Sequence, residues 1–151
     1  MQKIIITGKK GQVGHALVEA LTPLCELHAF DSSEFNLSNE AQVRERIQTI
    51  RPDIIINAAA YTAVDRAETD EATAFAVNAN GPKIIGQEAT KVGAVVIHFS
   101  SDYVFDGKKS ARMLSPIRLI HWGIMAHLNC RVRSCYWMPA PKASFYARVG
   151  W

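Results

Sequence analysis

The sequence predicts an α/β protein whose core is a doubly wound parallel sheet, and three observations point to it. Short apolar runs alternate along the chain with segments whose apolar residues recur at helical spacing. A glycine-rich turn links the first apolar run to the first helical segment, and polar residues follow directly after several of the runs. Alternating strands and helices form right-handed βαβ units, which build a parallel sheet covered by helices on both faces.

The apolar runs are the predicted strands, because parallel strands that are covered on both faces are apolar along their whole length. We place them at residues 3–7, 26–30, 54–56 and 94–99. The first helix covers about residues 15–21 and is closed by Pro23. The second reaches Ile50 from a cap at Ser38 or Asn39, and the third covers about residues 71–92 with an interruption near Gly81.

The turn after the first strand carries glycine at positions 8, 11 and 14. Gly8 allows a tight reversal, Gly11 lets the backbone approach a pyrophosphate without a Cβ in the way, and Gly14 lets the helix pack closely on the sheet. The N–H groups and the dipole at the start of the helix attract phosphate. The turn therefore predicts a Rossmann-type dinucleotide site, and a glycine turn that binds no ligand is the alternative.

The residues around the end of the second predicted strand leave the choice of dinucleotide open. Asp31 stands where an acid meets the adenosine ribose hydroxyls, and a carboxylate there favours NAD because it repels a 2′-phosphate. Lys9 and Lys10 favour NADP, since either ammonium group is able to pair with that phosphate. A solvated loop acid is the alternative interpretation of Asp31.

Composition excludes several classes of protein. Hydrophobic residues make up 48% and charged residues 21%, which is typical of a globular domain. No apolar run reaches the roughly 18 residues of a spanning helix, and the N-terminus lacks a signal-peptide pattern, so we expect a cytoplasmic protein without a membrane partner. Three cysteines, at positions 25, 130 and 135, fit neither a disulfide framework nor zinc-site spacing, and we expect no metal.

Charge divides the chain into two parts. Residues 1–111 hold 11 basic and all 14 acidic residues, a net charge of −3, whereas residues 112–151 hold six basic and no acidic residues, a net charge of +6. The second part also contains all three Trp. Such a tail predicts either a segment that binds nucleic acid or a membrane surface, or a segment of different origin from the rest.

Four motifs make the first 111 residues more specific. They are the glycine turn with Gln12, residues 57–68, residues 77–82 and residues 100–107. Together they resemble the dTDP-4-dehydrorhamnose reductase family, which belongs to the extended short-chain dehydrogenase/reductases. The resemblance covers residues 1–111 as an NAD(P)-binding domain and leaves residues 112–151 as an atypical tail. It implies a chain truncated before the part that holds the sugar nucleotide, with a sheet incomplete at the C-terminus.

The resemblance implies a role for individual residues. It places Gly11, Gln12 and Val13 at the pyrophosphate, within the cofactor-binding turn that Gly8 and Gly14 complete; Asp31, Asn36 and Leu37 near the adenosine; and Ala60, Tyr61 and Thr62 beside the ribose and the nicotinamide. Ser101 takes the position of the catalytic hydroxyl that hydrogen-bonds the reacting carbonyl, while Asp102 and Tyr103 border the sugar. Ser101 as a merely polar strand end is the alternative.

The same resemblance implies an activity with its cofactor and substrate. NADPH or NADH passes a hydride to C4 of dTDP-6-deoxy-L-lyxo-4-hexulose, and a homodimer is one assembly that the family allows. The family's chemistry also needs a Tyr-x-x-x-Lys pair, in which Tyr protonates the carbonyl oxygen and Lys lowers the pKa of that Tyr. None of the four Tyr has Lys four residues later, so we expect no turnover from this chain.

The genetic code offers an explanation of the tail. A one-base shift over residues 121–130 is compatible with Leu-Gly-x-Tyr-Gly-x-Ser-Lys-Leu, in which both Leu and both Gly are forced by the residues present. That string resembles the family's catalytic helix, with Tyr and Lys at the required distance. We therefore predict a frameshifted segment from about residue 112 to 138, with residues 143–151 back in frame. We expect the C-terminal third as a whole, residues 112–151, to be poorly soluble or partly disordered. A divergent but genuine segment is the alternative.

The sequence is compatible with two other functions. A non-catalytic nucleotide-binding or regulatory module is the first, since the regulatory subunit of methionine adenosyltransferase is similar to this family, and the missing Tyr-x-x-x-Lys pair favours it. A nucleic-acid-binding protein with a basic tail is the second. The tail contains no recognised binding motif, so we expect no nucleic-acid partner.

Overall fold

The computed structural model describes residues 1–100 and the strand at 143–147, which together form alternating strands and helices. The strands are β1 Lys3–Thr7, β2 Glu26–Phe30, β3 Ile54–Asn57, β4 Val95–Ser100 and β5 Ala143–Ala147. The α-helices are α1 Gln12–Leu21, α2 Glu40–Ile50, α3 Val64–Ala67, α4 Glu71–Phe75 and α5 Gly81–Val92. A π-helical segment, Ala76–Asn80, joins α4 to α5.

The described strands form one parallel sheet in the order β2-β1-β3-β4-β5. Thr7 of β1, Asn57 of β3 and His98 of β4 stand at the same level of the sheet. The order reverses between β1 and β3, and such a switch point opens a ligand crevice at the carboxyl ends of the strands. The predicted doubly wound parallel sheet is therefore confirmed.

Helices cover both faces of the sheet because successive residues of a strand point to opposite sides. Ile4, Ile6 and Ile56 form one apolar cluster, which α1 covers with Leu17, Val18 and Leu21. The larger cluster on the other face holds Ile5, Ile55, Val96 and the buried faces of α2 and α5. Helix α1 therefore lies on one face of the sheet, and α2 and α5 lie on the other.

Several element bounds follow directly from local sequence chemistry. Asn39 caps α2 by accepting the Gln42 N–H at 3.1 Å, so Asn39 is the cap of the two candidates. The interruption predicted near Gly81 is confirmed as the π-helical segment just before it, where a Cβ at Gly81 would lie 2.8 Å from the Leu37 Cβ. Because Leu37 approaches so closely, the chain needs a glycine at position 81.

Strand β5 lies inside the basic tail and extends the sheet beside β4. It pairs in parallel from Val96↔Ala143 to Ser100↔Ala147. The remaining tail residues, including 148–151 at the end of the segment expected to be back in frame, lie outside the described residues. None of the helices in the described part is long and apolar enough to cross a membrane.

A buried carboxylate joins α2 and α5, the two helices on the face of the sheet that holds the larger apolar cluster. Glu88 of α5 is fully buried and accepts hydrogen bonds from Arg44 and Gln48 of α2, and from Lys91 one turn further along α5. Burial raises the pKa of Glu88, but these donors outweigh it and leave the pKa below its usual value. The α2–α5 contact therefore depends on a charged group that its neighbours must satisfy.

Replacing Arg44 with Ala is expected to lower the free energy of unfolding by about 1–3 kcal/mol, because a buried carboxylate loses one of its donors. The measurement is urea unfolding at pH 7. Glu45→Ala, at an exposed neighbouring position of α2, is the matched control and should change stability by less than about 0.5 kcal/mol. Equal stability of the two variants would contradict this role for Arg44.

Candidate nucleotide-binding site

The glycine turn leaves β1 and enters α1 within a few residues. Gly8 has φ +78°, in the left-handed region that favours glycine, and its carbonyl accepts the Gly11 N–H at 3.0 Å. Gly11 then caps α1 without a side chain, and the His15 N–H makes the first helical bond to its carbonyl at 2.8 Å. The helix therefore starts directly at the carboxyl edge of the sheet.

Each glycine in the turn meets a different steric demand. A Cβ at Gly14 would lie 2.1 Å from the Gly8 carbonyl oxygen, and one at Gly8 would lie 2.8 Å from the Ala59 nitrogen. A Cβ at Gly11 would meet only the Gly8 oxygen, at 3.4 Å, which is close to ordinary contact. The fold explains the glycines at 8 and 14, whereas the glycine at 11 leaves open a space that a Cβ would fill.

The first turn of α1 is suited to an anion. Its initial N–H groups have no intrahelical acceptors, and the helix dipole places partial positive charge at this end. Gly11 and Gln12 are exposed and Val13 is half-buried, so a ligand can approach them. A pyrophosphate fits this donor set.

Two ion pairs connect the turn with the loop after β2. Lys10 Nζ lies 2.5 Å from Asp31 Oδ2, and Lys9 Nζ lies 2.5 Å from Glu34 Oε2. The Ser33 N–H and hydroxyl donate to Asp31 Oδ1 at 2.9 and 2.6 Å. Hydrogen bonds from Lys10 and Ser33 hold the pKa of Asp31 well below its usual range, so the carboxylate stays charged.

Asn36 and Leu37, which the family resemblance places near the adenosine, differ in exposure. Asn36 is exposed; its Oδ1 accepts the Ser38 N–H at 2.9 Å and its own N–H donates to Gln42 Oε1 at 2.7 Å. Leu37 is buried in the larger apolar cluster. We therefore expect any ligand contact of Leu37 to come from its backbone.

The segment after β3 lies against the glycine turn. The Ala58 N–H donates to the Thr7 carbonyl at 3.2 Å, and Ala59 is the neighbour that a Cβ at Gly8 would strike. Asn78, on the π-helical segment, binds the Tyr61 backbone twice: its Oδ1 accepts the Tyr61 N–H at 2.8 Å and its Nδ2 donates to the Tyr61 carbonyl at 2.9 Å. The Thr7 carbonyl and the Asn78 side chain thus hold this segment at Ala58 and at Tyr61.

A row of buried polar groups crosses three strands below this segment. The Thr7 hydroxyl donates to Asn57 Oδ1 at 2.5 Å, and the Ala59 N–H donates to the same oxygen at 3.2 Å. The amide nitrogen of Asn57 therefore faces His98 Nδ1, at 3.0 Å, and donates to it. Burial lowers the pKa of His98 to about 4, which keeps the ring neutral and Nδ1 available as an acceptor.

The structure brings part of the predicted site together. The carboxyl ends of β2, β1 and β3 carry Asp31, the glycine turn and residues 58–62 side by side. Ser101, Asp102 and Tyr103 lie outside the described residues. The sequence alone indicated no role for Asn57, Asn78 or His98. The motifs at 57–68 and 77–82 contain the two asparagines, but nothing in the sequence indicates their partners.

Residues 1–115 match the model of a protein family described as the RmlD substrate binding domain. The match covers more than half of the chain. The chain belongs to this family. The predicted family is thereby confirmed, and the chain is homologous to dTDP-4-dehydrorhamnose reductases.

Relatives from several bacteria show how far the likeness extends. The dTDP-4-dehydrorhamnose reductase of Escherichia coli K12 is 50% identical over 108 residues, which are 69% of this chain and 36% of the relative. That of Aggregatibacter actinomycetemcomitans is 40% identical over 114 residues, 74% of this chain and 39% of the relative. The chain thus spans little more than a third of the length of these curated relatives.

Solved structures agree in fold. The dTDP-4-dehydrorhamnose reductase of Bacillus anthracis, in complex with NADP, superposes with a TM-score of 0.92 at 31% identity, covering 98% of this chain and 53% of that one. The Clostridium acetobutylicum reductase gives 0.91 at 29% identity, covering 96% and 52%. This RmlD-family chain spans about half the length of those structures.

His98 makes stability depend on pH. The folded protein holds His98 neutral down to a pKa of about 4, whereas an unfolded histidine takes up a proton near its ordinary pKa of 6.5. The unfolded state therefore binds more protons between these values, and the free energy of unfolding should fall by roughly 3 kcal/mol from this group as pH drops from 6.5 to 4.

The measurement is urea unfolding from pH 7 to pH 4 for the unaltered chain and for His98→Gln. Carboxylates titrate in both proteins, so their effect cancels when the two slopes of unfolding free energy against pH are compared. The difference between the slopes is the contribution of His98, and it does not depend on the absolute stability of the variant. Parallel slopes would show that His98 is not held neutral.

Proposed function

We propose that this chain binds NADPH or NADH at the glycine turn, as the dinucleotide-binding part of a reductase for a dTDP-linked 4-keto sugar. The observation that carries the proposal is the space at Gly11: the fold does not require glycine there, and the space opens onto the first turn of α1 at the switch point of the sheet. A pyrophosphate needs this backbone approach. The NADP complex of the Bacillus anthracis relative supports the choice of ligand.

Candidate residues for each part of the cofactor lie in or beside the glycine turn. Gly11, Gln12 and Val13 would hold the pyrophosphate through their N–H groups. Asp31, Asn36 and the backbone of Leu37 would lie beside the adenosine, while Ala60, Tyr61 and Thr62 would line the ribose and the nicotinamide. When bound, the reduced nicotinamide supplies the hydride; the chain's own residues bind and orient it.

Catalysis needs groups beyond the cofactor site. We propose that Ser101 hydrogen-bonds the carbonyl oxygen of the sugar and that Asp102 and Tyr103 border it. A general acid must protonate that oxygen as the hydride arrives, and the sequence has no Tyr-x-x-x-Lys pair to do so. The proposal is therefore binding of the dinucleotide without reduction of the sugar by this chain.

We also propose that residues 1–111 are the nucleotide-binding domain and that about 112–138 were translated one base out of frame. Three findings support this. The family match ends at residue 115, close to the change in composition. The shifted frame is compatible with a Tyr and a Lys four residues apart. Strand β5 continues the sheet from Ala143, which agrees with a return to frame.

A non-catalytic regulatory module is the second candidate, favoured by the absence of the Tyr-x-x-x-Lys pair. The coding DNA around codons 110–140 separates the two. If the shifted frame encodes Tyr and Lys at the required distance, the chain derives from a reductase. If it encodes neither, the frameshift proposal is wrong and the regulatory module becomes the better account.

Gly11→Ala is expected to lower the affinity for NADPH at least tenfold, because the methyl group fills the space that the pyrophosphate approaches. The backbone of Gly11, at φ −75° and ψ 162°, suits alanine, so stability should change by no more than about 1 kcal/mol. Fluorescence titration with NADPH and thermal unfolding measure the two effects.

Two further variants serve as controls. Gly14→Ala should destabilise the fold itself, since its Cβ would lie 2.1 Å from the Gly8 oxygen. Gly93→Asn, in a left-handed turn with open space around it, should leave NADPH affinity unchanged. Unaltered affinity in a folded Gly11→Ala protein would remove the support for the site.

A further inference from the structure

The side chain of Asn78 holds the segment after β3 at Tyr61. The Tyr61 N–H donates to Asn78 Oδ1 at 2.8 Å, and Asn78 Nδ2 donates to the Tyr61 carbonyl at 2.9 Å. An amide side chain matches both groups in one orientation only, since the reverse orientation would set its NH₂ group against the Tyr61 N–H. Asn78 is itself buried in the π-helical segment. This two-point contact therefore fixes both the position and the direction of the Tyr61 backbone.

Tyr61 is anchored through its side chain as well. It is half-buried and packs against the larger apolar cluster, as its neighbour Ala59 does. Because Asn78 already occupies the N–H and the carbonyl of Tyr61, the backbone of this residue has little left to offer a ligand. Tyr61 is therefore the fixed point of the segment.

The two residues on either side of Tyr61 are placed differently. Ala60 and Thr62 are both exposed. Their N–H groups and the Thr62 hydroxyl donate to no group in the part of the chain that the structure describes. They follow directly on Ala59, whose backbone lies against Gly8. Anchoring Tyr61 between them therefore keeps unused donors beside the glycine turn, at the carboxyl edge of the sheet.

The strand order decides which half of a dinucleotide meets these donors. A pyrophosphate at the glycine turn lies at the end of β1, and the acid at the end of β2 marks the adenosine side. Strand β1 lies between β2 and β3 in the sheet. The other half of the ligand, with the nicotinamide and its ribose, therefore extends to the β3 side, where residues 58–62 lie.

We propose that Asn78 is a positioning residue for the nicotinamide half of the cofactor: by holding Tyr61, it keeps the donors of Ala60 and Thr62 where the nicotinamide ribose and carboxamide accept them. The inference rests on the proposed function and adds a residue that acts through Tyr61 instead of contacting the cofactor. The adenosine half is independent of Asn78, because the loop after β2 has contacts of its own, among them those between Ser33 and Asp31.

Asn78→Ala separates the two halves of the cofactor when each dinucleotide is compared with the fragment that lacks its nicotinamide nucleotide. The fragments are 2′,5′-ADP for NADPH and 5′-AMP for NADH. The affinity for the dinucleotide should fall about tenfold, because Tyr61 loses both hydrogen bonds, while that for its fragment changes less than about twofold. The fluorescence enhancement of the reduced nicotinamide at saturation should also fall, since a loss of stability alone leaves that signal unchanged in the folded protein.

Asn80→Ala is the matched control for this substitution. Asn80 lies in the same π-helical segment, is exposed and makes no side-chain cap bond to α5. Its replacement should leave the affinities for dinucleotide and fragment unchanged, and the fluorescence enhancement with them.

Amide hydrogen exchange in the unaltered chain tests the same inference without a substitution. Before any ligand is added, the Tyr61 amide should exchange at least about tenfold more slowly than the amides of Ala60 and Thr62. The dinucleotide should then protect Ala60 and Thr62, and the fragment should not. A Tyr61 amide that exchanges as fast as its neighbours, or equal protection by the fragment, would overturn the role of Asn78.

The outcomes distinguish this inference from the proposal it rests on. If the unaltered chain binds neither NADPH nor NADH, the proposed function and the role of Asn78 are overturned together. If it binds one of them and Asn78→Ala weakens dinucleotide and fragment equally, or changes neither, the site stands and the role of Asn78 alone is overturned. If Asn78→Ala does not fold, the exchange measurement decides.

Discussion

The close approach of α1 to the turn that precedes it is the constraint on which the site depends. Gly14 packs so tightly on the Gly8 carbonyl that a single Cβ would come within 2.1 Å of it. This contact starts the helix directly above the end of β1, with its first N–H groups at the carboxyl edge of the sheet. The Ala59 backbone closes in on Gly8 from the β3 side, at 2.8 Å from the position of a Cβ. Any larger residue at either glycine would push apart the elements that form the crevice.

The edge of the sheet stays ordered because its polar groups satisfy one another. Thr7, Asn57 and His98 form a hydrogen-bonded row across three strands at positions that are buried. Buried polar groups are costly unless paired, so this row fixes the Asn57 side chain, whose Oδ1 accepts the Ala59 N–H. Asn78 does the same for Tyr61 from the π-helical segment, and such segments occur frequently at functional sites. The crevice is therefore positioned before a ligand binds, which reduces the ordering that binding requires.

Much of the fold could be predicted because its signals are local. Strand β1, the cap of α2 at Ser38 or Asn39 and the glycine turn each depend on residues within a few positions of one another; the structure then decided the cap for Asn39. The roles of Asn78 and His98 could not be predicted, since their partners stand 17 and 41 residues away and are brought into contact only by the tertiary fold. The sequence left Lys9 and Lys10 equivalent, and only the fold separates them, by giving one to Glu34 and the other to Asp31. Likewise, Leu37 was placed by resemblance near the adenosine, while the structure buries it in the larger apolar cluster, beside Gly81.

The central claim is that the glycine turn binds a dinucleotide in a chain whose sequence lacks the pair that would use it. Titration of the isotope-labelled chain with NADPH, followed by amide NMR, tests this most directly. The account predicts that the largest shifts occur at the amides of Gly11, Gln12 and Val13, with no oxidation of NADPH when a dTDP-linked 4-keto sugar is added. Unmoved amides at these three positions, or steady oxidation of NADPH, would contradict it.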